Sequence, residues 1–423
     1  MSDVSFTRVN TAPTLPPAKS PVRPADNKKT KEPPKKYNYQ FQAFDLRYAK
    51  FQTDNPISAG TNVASVYRLI SRQGVKRIGM EKWWWGRTAK FLLDGLTSLY
   101  TVRMQHEMGH GYRNSDTGCQ SAGYNVFNPL ITEFFAVSSL GCNAQSREGH
   151  QYSHSGGFEA SRVLARLAYS QMLKDGGNFS EAMLYLMSSI DLPNYWFLWE
   201  NPDSPINSIF RKELGKDFGD IGNYLWLSSP KHKDTGTIWI ADADTLPEGY
   251  GFKKENILMS AIITLIDPTF IYLLYQTGRY LITGDEYFEL PPGLPMFSSY
   301  LPAYGPEYRV TAPVKINDVA ADMAFRFTVN SGMENSYGGN ITLHNWPIQL
   351  TPLTSINFGA SADLWKQNGQ FGGAGTITFG VNINYVKLDI TGGYKTGGFI
   401  PGETLDSGAI FRVDLGLRLP DPD

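Results

Sequence analysis

From about residue 307 the chain alternates. Ile377, Phe379, Val381, Ile383 and Tyr385 take every second position, with Thr378, Gly380, Asn382 and Asn384 between them. Phe411, Val413, Leu415, Leu417 and Leu419 repeat the rhythm against Arg412, Asp414, Gly416 and Arg418. Ile356, Phe358, Ala360, Ala362 and Leu364 continue it, as do Phe325, Phe327 and Val329. Successive side chains of a strand point to opposite faces, so this period predicts strands with one apolar and one polar face. The glycine pairs at 338–339, 372–373, 392–393 and 397–398 read as the turns between them. The prediction is an antiparallel meander of about seven or eight strands over 305–420. The runs exceed the roughly five or six residues usual in soluble sheets. A small membrane barrel, polar inside and apolar outside, has this pattern. So does a soluble barrel or a one-sided sheet.

Before residue 300 the period is that of a helix. Apolar residues recur at three- and four-residue spacing over 87–111, 130–140, 158–175, 179–190 and 255–283. Gly111, Gly141 and Gly176-Gly177 stand where helix stops are expected. The most apolar run, Ile257 to Tyr275, is interrupted by Asp267-Pro268. It therefore reads as a buried or half-inserted helix pair rather than a single span. The stretch 191–250, rich in Pro, Gly, Asn and Trp, reads as long loops. Residues 11–36, rich in Pro and Lys, cannot bury enough apolar surface to fold. The fold class is α+β: a tail over 1–36, a helical domain over 37–300 and an antiparallel β-domain over 305–420.

Composition narrows the function. The chain has 423 residues and a net charge of -1, which leaves no electrostatic footprint for nucleic acid. Met1 to Asn10 holds no apolar run, so either the protein works in the cytosol or a signal has been removed. Its two cysteines, Cys119 and Cys142, either pair in an oxidising compartment or remain thiols. Trp83-Trp84-Trp85 cannot all face one core; packing on two sides of a turn and an interfacial belt are both open.

The chemistry concentrates at His106-Glu107-Met108-Gly109-His110. Two histidines four apart share one helix face. That face runs back through Leu92, Leu96, Leu99 and Val102, which places the imidazoles on an expected buried stripe. Two nitrogen donors on one turn are pre-aligned for zinc, and Glu107 between them can take a proton from water. Catalytic zinc usually has three protein ligands. No histidine follows soon after His110, so a glutamate on a later helix is expected to complete the set. Glu159, behind Gly156-Gly157 and ahead of Val163 and Leu167, is the first candidate. His154, paired with His150, is the second, and Glu133 the third.

The segment Leu99 to Arg113 resembles the active-site helix of the zincin metallopeptidases. That resemblance implies His106 and His110 as zinc ligands, Glu107 as general base, and a protein or peptide substrate. The stretch Glu159-Ala160-Ser161-Arg162 is similar to the Glu-Ala-Asp-Arg signature of prenyl-protease-like gluzincins, with Ser161 in place of the aspartate. Residues 305–420 resemble the outer-membrane barrel domains of Gram-negative bacteria, which implies the bacterial cell envelope and membrane association through the β-domain. The competing reading is a non-enzymatic barrel or scaffold with a structural metal or none.

Overall fold

The computed structural model describes residues 36–47, 50–51, 56–75, 82–118, 121–125, 136–140, 147–199, 220–221, 224, 254–316, 319–329, 335–367 and 369–420. Residues 1–35 of the expected tail, Glu133, both cysteines, His232 and most of the 191–250 loops lie outside these residues; Lys36 already belongs to a strand, and 191–199, expected as loop, is helical.

The fold is α+β. Six α-helices are described: α1 (Pro56–Leu69), α2 (Trp84–Asp116), α3 (Arg147–Asp175), α4 (Phe179–Asn194), α5 (Lys254–Leu265) and α6 (Pro268–Thr283). The principal sheet has ten antiparallel strands. In spatial order they are β2 (Lys50–Phe51), β1 (Lys36–Arg47), β14 (Gly408–Pro420), β13 (Val386–Lys395), β12 (Gln370–Ile383), β11 (Thr354–Gln367), β10 (Tyr337–Thr351), β9 (Val319–Thr328), β8 (Glu307–Ile316) and β7 (Met296–Tyr300). Two small hairpins are separate: β3 (Ser121–Asn125) with β4 (Ala136–Leu140), and β5 (Gly177–Asn178) with β6 (Tyr287–Phe288).

Seven strands fall within the region where seven or eight were expected. Among the described residues no ladder joins β7 to β1 or β2, so the sheet is open rather than a closed barrel. Residues 36–423 form one compact unit. The helical and β parts are therefore built together: β1, from the start of the unit, pairs with the final strand β14.

Three glycine pairs read as turns lie inside strands instead. Gly372 explains why: a Cβ there would come 2.3 Å from the Trp365 indole nitrogen across the β11–β12 ladder. The glycine makes room for a large ring on the neighbouring strand. The β12–β13 connection is made at Asn384, whose φ of 52° is one that asparagine tolerates. The expected helix over 130–140 is also corrected, because 136–140 is strand β4.

The helices are punctuated by side-chain caps. Asn178 and Glu181 form a reciprocal capping box at the start of α4. Asp267 accepts from the Thr269 and Phe270 amides, and Pro268 opens α6, so the expected break in the 255–283 run falls at this cap. At Gly111 no helix ends: α2 continues to Asp116. The double glycine at 156–157 lies in the interior of α3 rather than at its entry.

From Gln151 to Ala165 α3 is buried on nearly every side. It packs on α1, α2, α4 and the inner face of the sheet. Its buried neighbours Leu164, Ala168 and Met172 share one core with Met183 and Leu184 of α4 and Leu273 of α6. A fixed helix at the centre, crossed by α2, is what positions the histidines.

Candidate metal centre

α2 and α3 cross where each carries glycine. A Cβ on Gly109 would lie 2.1 Å from the Gly156 carbonyl oxygen, and one on Gly156 would lie 2.5 Å from the Gly109 oxygen. Only glycine permits backbones this close. The crossing brings the Ser153 carbonyl oxygen to 2.7 Å from His110 Nδ1. On the other side of α2, Asp191 at the end of α4 sets Oδ2 2.7 Å from His106 Nδ1, and the Ser161 hydroxyl donates to the same oxygen at 2.7 Å.

Both acceptors settle the imidazole tautomers. A carbonyl or carboxylate oxygen cannot donate, so each Nδ1 carries a proton, and each Nε2 is the atom left to face a metal ion or to take a second proton. The two Nε2 atoms lie 3.0 Å apart. Asp220 Oδ2 completes a triangle, 3.3 Å from His106 Nε2 and 3.2 Å from His110 Nε2. Asp220 is held beside Ile221 and Tyr224, both fully buried, and the Tyr224 hydroxyl donates to the Pro302 carbonyl at 2.6 Å.

Two lone pairs and a carboxylate oxygen converging in this way call for a positive charge between them. In the metal-free chain protons supply that charge. Burial pulls the His106 imidazole down, but Asp191 on one side and Asp220 on the other hold it up, to about 10. Burial pushes Asp220 up, yet His110, His106 and His154 hold it well below the carboxylate range.

The separations fit a metal. Tetrahedral zinc, with bonds of about 2.0–2.1 Å, sets its donors about 3.3 Å apart. Gly157 leaves the space in front of the ring: a Cβ there would come 2.3 Å from His106 Nε2. The surround of His106 is aromatic. His106 stacks on Tyr195 with centroids 5.2 Å apart, and meets Phe158 edge-on at 5.1 Å. The Arg103 guanidinium donates to the Tyr195 oxygen at 2.7 Å. Glu107 is half-buried next to His106, and its charge helps to raise the pKa values of Arg103, His106 and His110.

His106 and His110 thus come together as expected from their spacing, while Glu159 does not join them. Its two oxygens accept from Arg113 Nε and Nη2 at 2.7 and 2.5 Å, and Oε1 also accepts from the Gly402 amide at 2.6 Å. Glu159 is, with Asp116, a counter-ion of the buried Arg113, and Asp220 stands where Glu159 was expected. Among the described residues, His106, His110 and Asp220 form the one group able to share a cation. His154 borders it, with Nδ1 3.6 Å from Asp220 Oδ1.

Sequence reasoning missed Asp220 because it follows His110 by more than a hundred residues in a stretch without periodicity. Asp191 left a fainter signal, as an acid in an otherwise apolar helix end, Ile190-Asp191-Leu192. A separate cavity of 280 Å³ lies between α3 and the inner sheet face, lined among others by Arg166, Lys174, His344, Asp363 and Arg412. It does not include the histidine cluster. His344 is paired there with Asp322 on the neighbouring strand. No family model, curated protein or solved structure matches this chain.

Proposed function

We propose that this protein is a zinc-dependent peptidase, with His106, His110 and Asp220 as the metal-holding residues and Glu107 as the general base. The observation that carries this reading is the convergence of three donor atoms, two of them on imidazoles fixed from behind by Asp191 and the Ser153 carbonyl. Two imidazoles and one carboxylate are a donor set used by zinc hydrolases, and such a set keeps one position for water or substrate. A zinc ion held by these residues would supply Lewis acidity toward water and a carbonyl group. Glu107, adjacent to the ligand face, takes the proton released from water and returns it to the leaving amine. Arg103, hydrogen-bonded to Tyr195, supplies a fixed positive charge beside the site.

A second reading keeps the metal and removes the chemistry. His106 is 0% exposed, as in a closed structural site. One experiment separates the two. The purified full chain is assayed for metal content and for hydrolysis of an unfolded protein substrate. About one zinc per chain is expected, lost in His106→Ala. Glu107→Gln should keep the zinc and lose hydrolysis. Zinc bound without hydrolysis by the unmutated chain favours the structural reading. A chain that takes up no zinc overturns both.

A further inference from the structure

The sheet is built inside out. In a one-sided soluble sheet the polar face meets water and the apolar face is covered. Here Phe358, Leu364, Ile377 and Phe379 of β11 and β12 are exposed, while their strand neighbours Asn357, Asp363 and Asn382 are buried. The same inversion holds from β8 to β14. Met323, Phe325 and Ile341 face outward; Asp322, Arg326 and Asp389 face inward. The inward charges are paired, as Arg326 with Asp363 at 3.0 Å and Lys387 with Asp389 at 2.6 Å. Along the alternating outward positions of these seven strands the only charged residue is Lys366, near the end of β11.

The helices share the inversion. On α2 the buried positions are Lys90, Asp94 and Ser98, whereas Leu92, Leu96 and Leu99 are 57, 66 and 54% exposed. On α5 and α6, Met259, Ile262, Ile271, Leu274 and Ile282 are exposed. The leucine stripe expected to be buried with the histidines is therefore uncovered over its first half.

These helices also bridge the gap in the sheet. α6 joins edge strand β7 through the Phe297 amide, which donates to Asp267 Oδ1 at 2.7 Å. α2 joins α6 through Arg87, which donates to the Ile282 carbonyl at 2.7 Å. α1 joins α2 through Tyr67 and Ser98, 2.8 Å apart, and packs on β1.

We propose that strands β8–β14 and the outward faces of α2, α5 and α6 form one continuous wall that contacts the acyl chains of a lipid bilayer. The commitment to lipid rests on charge complementarity. An uncharged outer face suits hydrocarbon, and the charges that a water-soluble surface would display are paired within. Strands of 10 to 15 residues are long enough, since a tilted strand crosses with about 9–11. Hydrocarbon tolerates no uncovered sheet edge, which accounts for helices packed along β7. No single described helix is long and apolar enough to cross alone, although α5 and α6 together pass that test by length and composition with a 46° bend.

The test uses the full chain with Cys119→Ser and Cys142→Ser, reconstituted into phosphatidylcholine vesicles with and without brominated acyl chains. A polarity-sensitive fluorophore is placed by single substitutions: Ile377→Cys and Leu96→Cys outward, Thr378→Cys inward. Brominated chains should quench the label at 377 and 96 and leave 378 unquenched. Quenching at 377 alone overturns the helical part of the wall. Access of aqueous iodide to 377 and 96 overturns the whole proposal, as does a lipid-free oligomer that shields both. A chain that fails to insert after substitution is checked by quenching of its native tryptophans, because Trp83–Trp85 are 56 to 72% exposed. Native tryptophans untouched by brominated lipid also overturn it.

Discussion

Asp191 Oδ2 lies 2.7 Å from His106 Nδ1, on the side of the ring opposite the Nε2 that meets His110 and Asp220. The carboxylate fixes the proton on Nδ1 and so aims the lone pair of Nε2. Asp191→Asn keeps the shape and removes the charge. Zinc affinity should fall roughly 10–100-fold. Competition with a fluorescent chelator measures it; unchanged affinity would show that Asp191 does not position the ring.

Asp220 and Glu159 should separate cleanly. Asp220→Ala removes a donor, so metal binding should be lost; the metal-free chain also loses the carboxylate that pairs with His106 and His110, so its thermal transition should fall at neutral pH. Glu159→Ala removes the two-pronged partner of buried Arg113 and leaves it Asp116 as its remaining carboxylate, which costs up to about 3–5 kcal/mol of stability. Chain that remains folded should still bind zinc. Metal titration and thermal denaturation of both variants decide the matter. Metal loss in Glu159→Ala at a temperature where the chain is folded would return Glu159 to the ligand set.

The glycine crossing is intolerant of volume. Gly109→Ala places a methyl group against the Gly156 carbonyl, 2.1 Å from its oxygen, and α2 must shift away from α3. Strain of this kind in a packed interior typically costs about 1–3 kcal/mol. The shift also separates His110 from the Ser153 carbonyl. Lower thermal stability and weaker zinc binding should therefore appear together, whereas Gly278→Ala, with open space around it inside α6, should lower neither and should raise stability by about 0.5–1 kcal/mol.

Acid should unfasten α1 from α3. Burial pushes the Asp175 carboxyl up, but Arg68, 2.9 Å away, and Lys174 hold it below the ordinary carboxylate value. A depressed carboxylate contributes stability above its unfolded pKa and loses it as pH falls through the folded value. Asp175→Asn should lower stability at neutral pH and flatten its decline in acid. Chemical denaturation at pH 7 and pH 3 tests this; an unchanged acid dependence would exclude Asp175 as a contributor.

Much was legible along the chain because it depended on neighbours in sequence. Alternation near Ile377 and Phe411 depends only on the two-residue period of a strand. The break at Asp267-Pro268 depends only on proline's missing amide hydrogen and aspartate's capping oxygen. The shared face of His106 and His110 depends only on the pitch of a helix. These are local consequences of covalent geometry.

The tertiary structure decided what each face meets. Leu92, Leu96 and Leu99 continue the histidine face in geometry, but α3 covers only the lower half of α2, so the leucines emerge while His106 is enclosed. Gly156-Gly157, just ahead of Glu159, suit a tight entry into a helix; in α3 the pair instead serves a crossing with α2, a partner invisible in local sequence. Glu159 had the right type and helix for a ligand, but Arg113 lies nearer, and a buried guanidinium binds a carboxylate through two hydrogen bonds at once. Asp220 reaches the histidines only because the chain folds back across more than a hundred residues. Donor type and spacing can be read from a sequence, whereas convergence of donors is a property of packing.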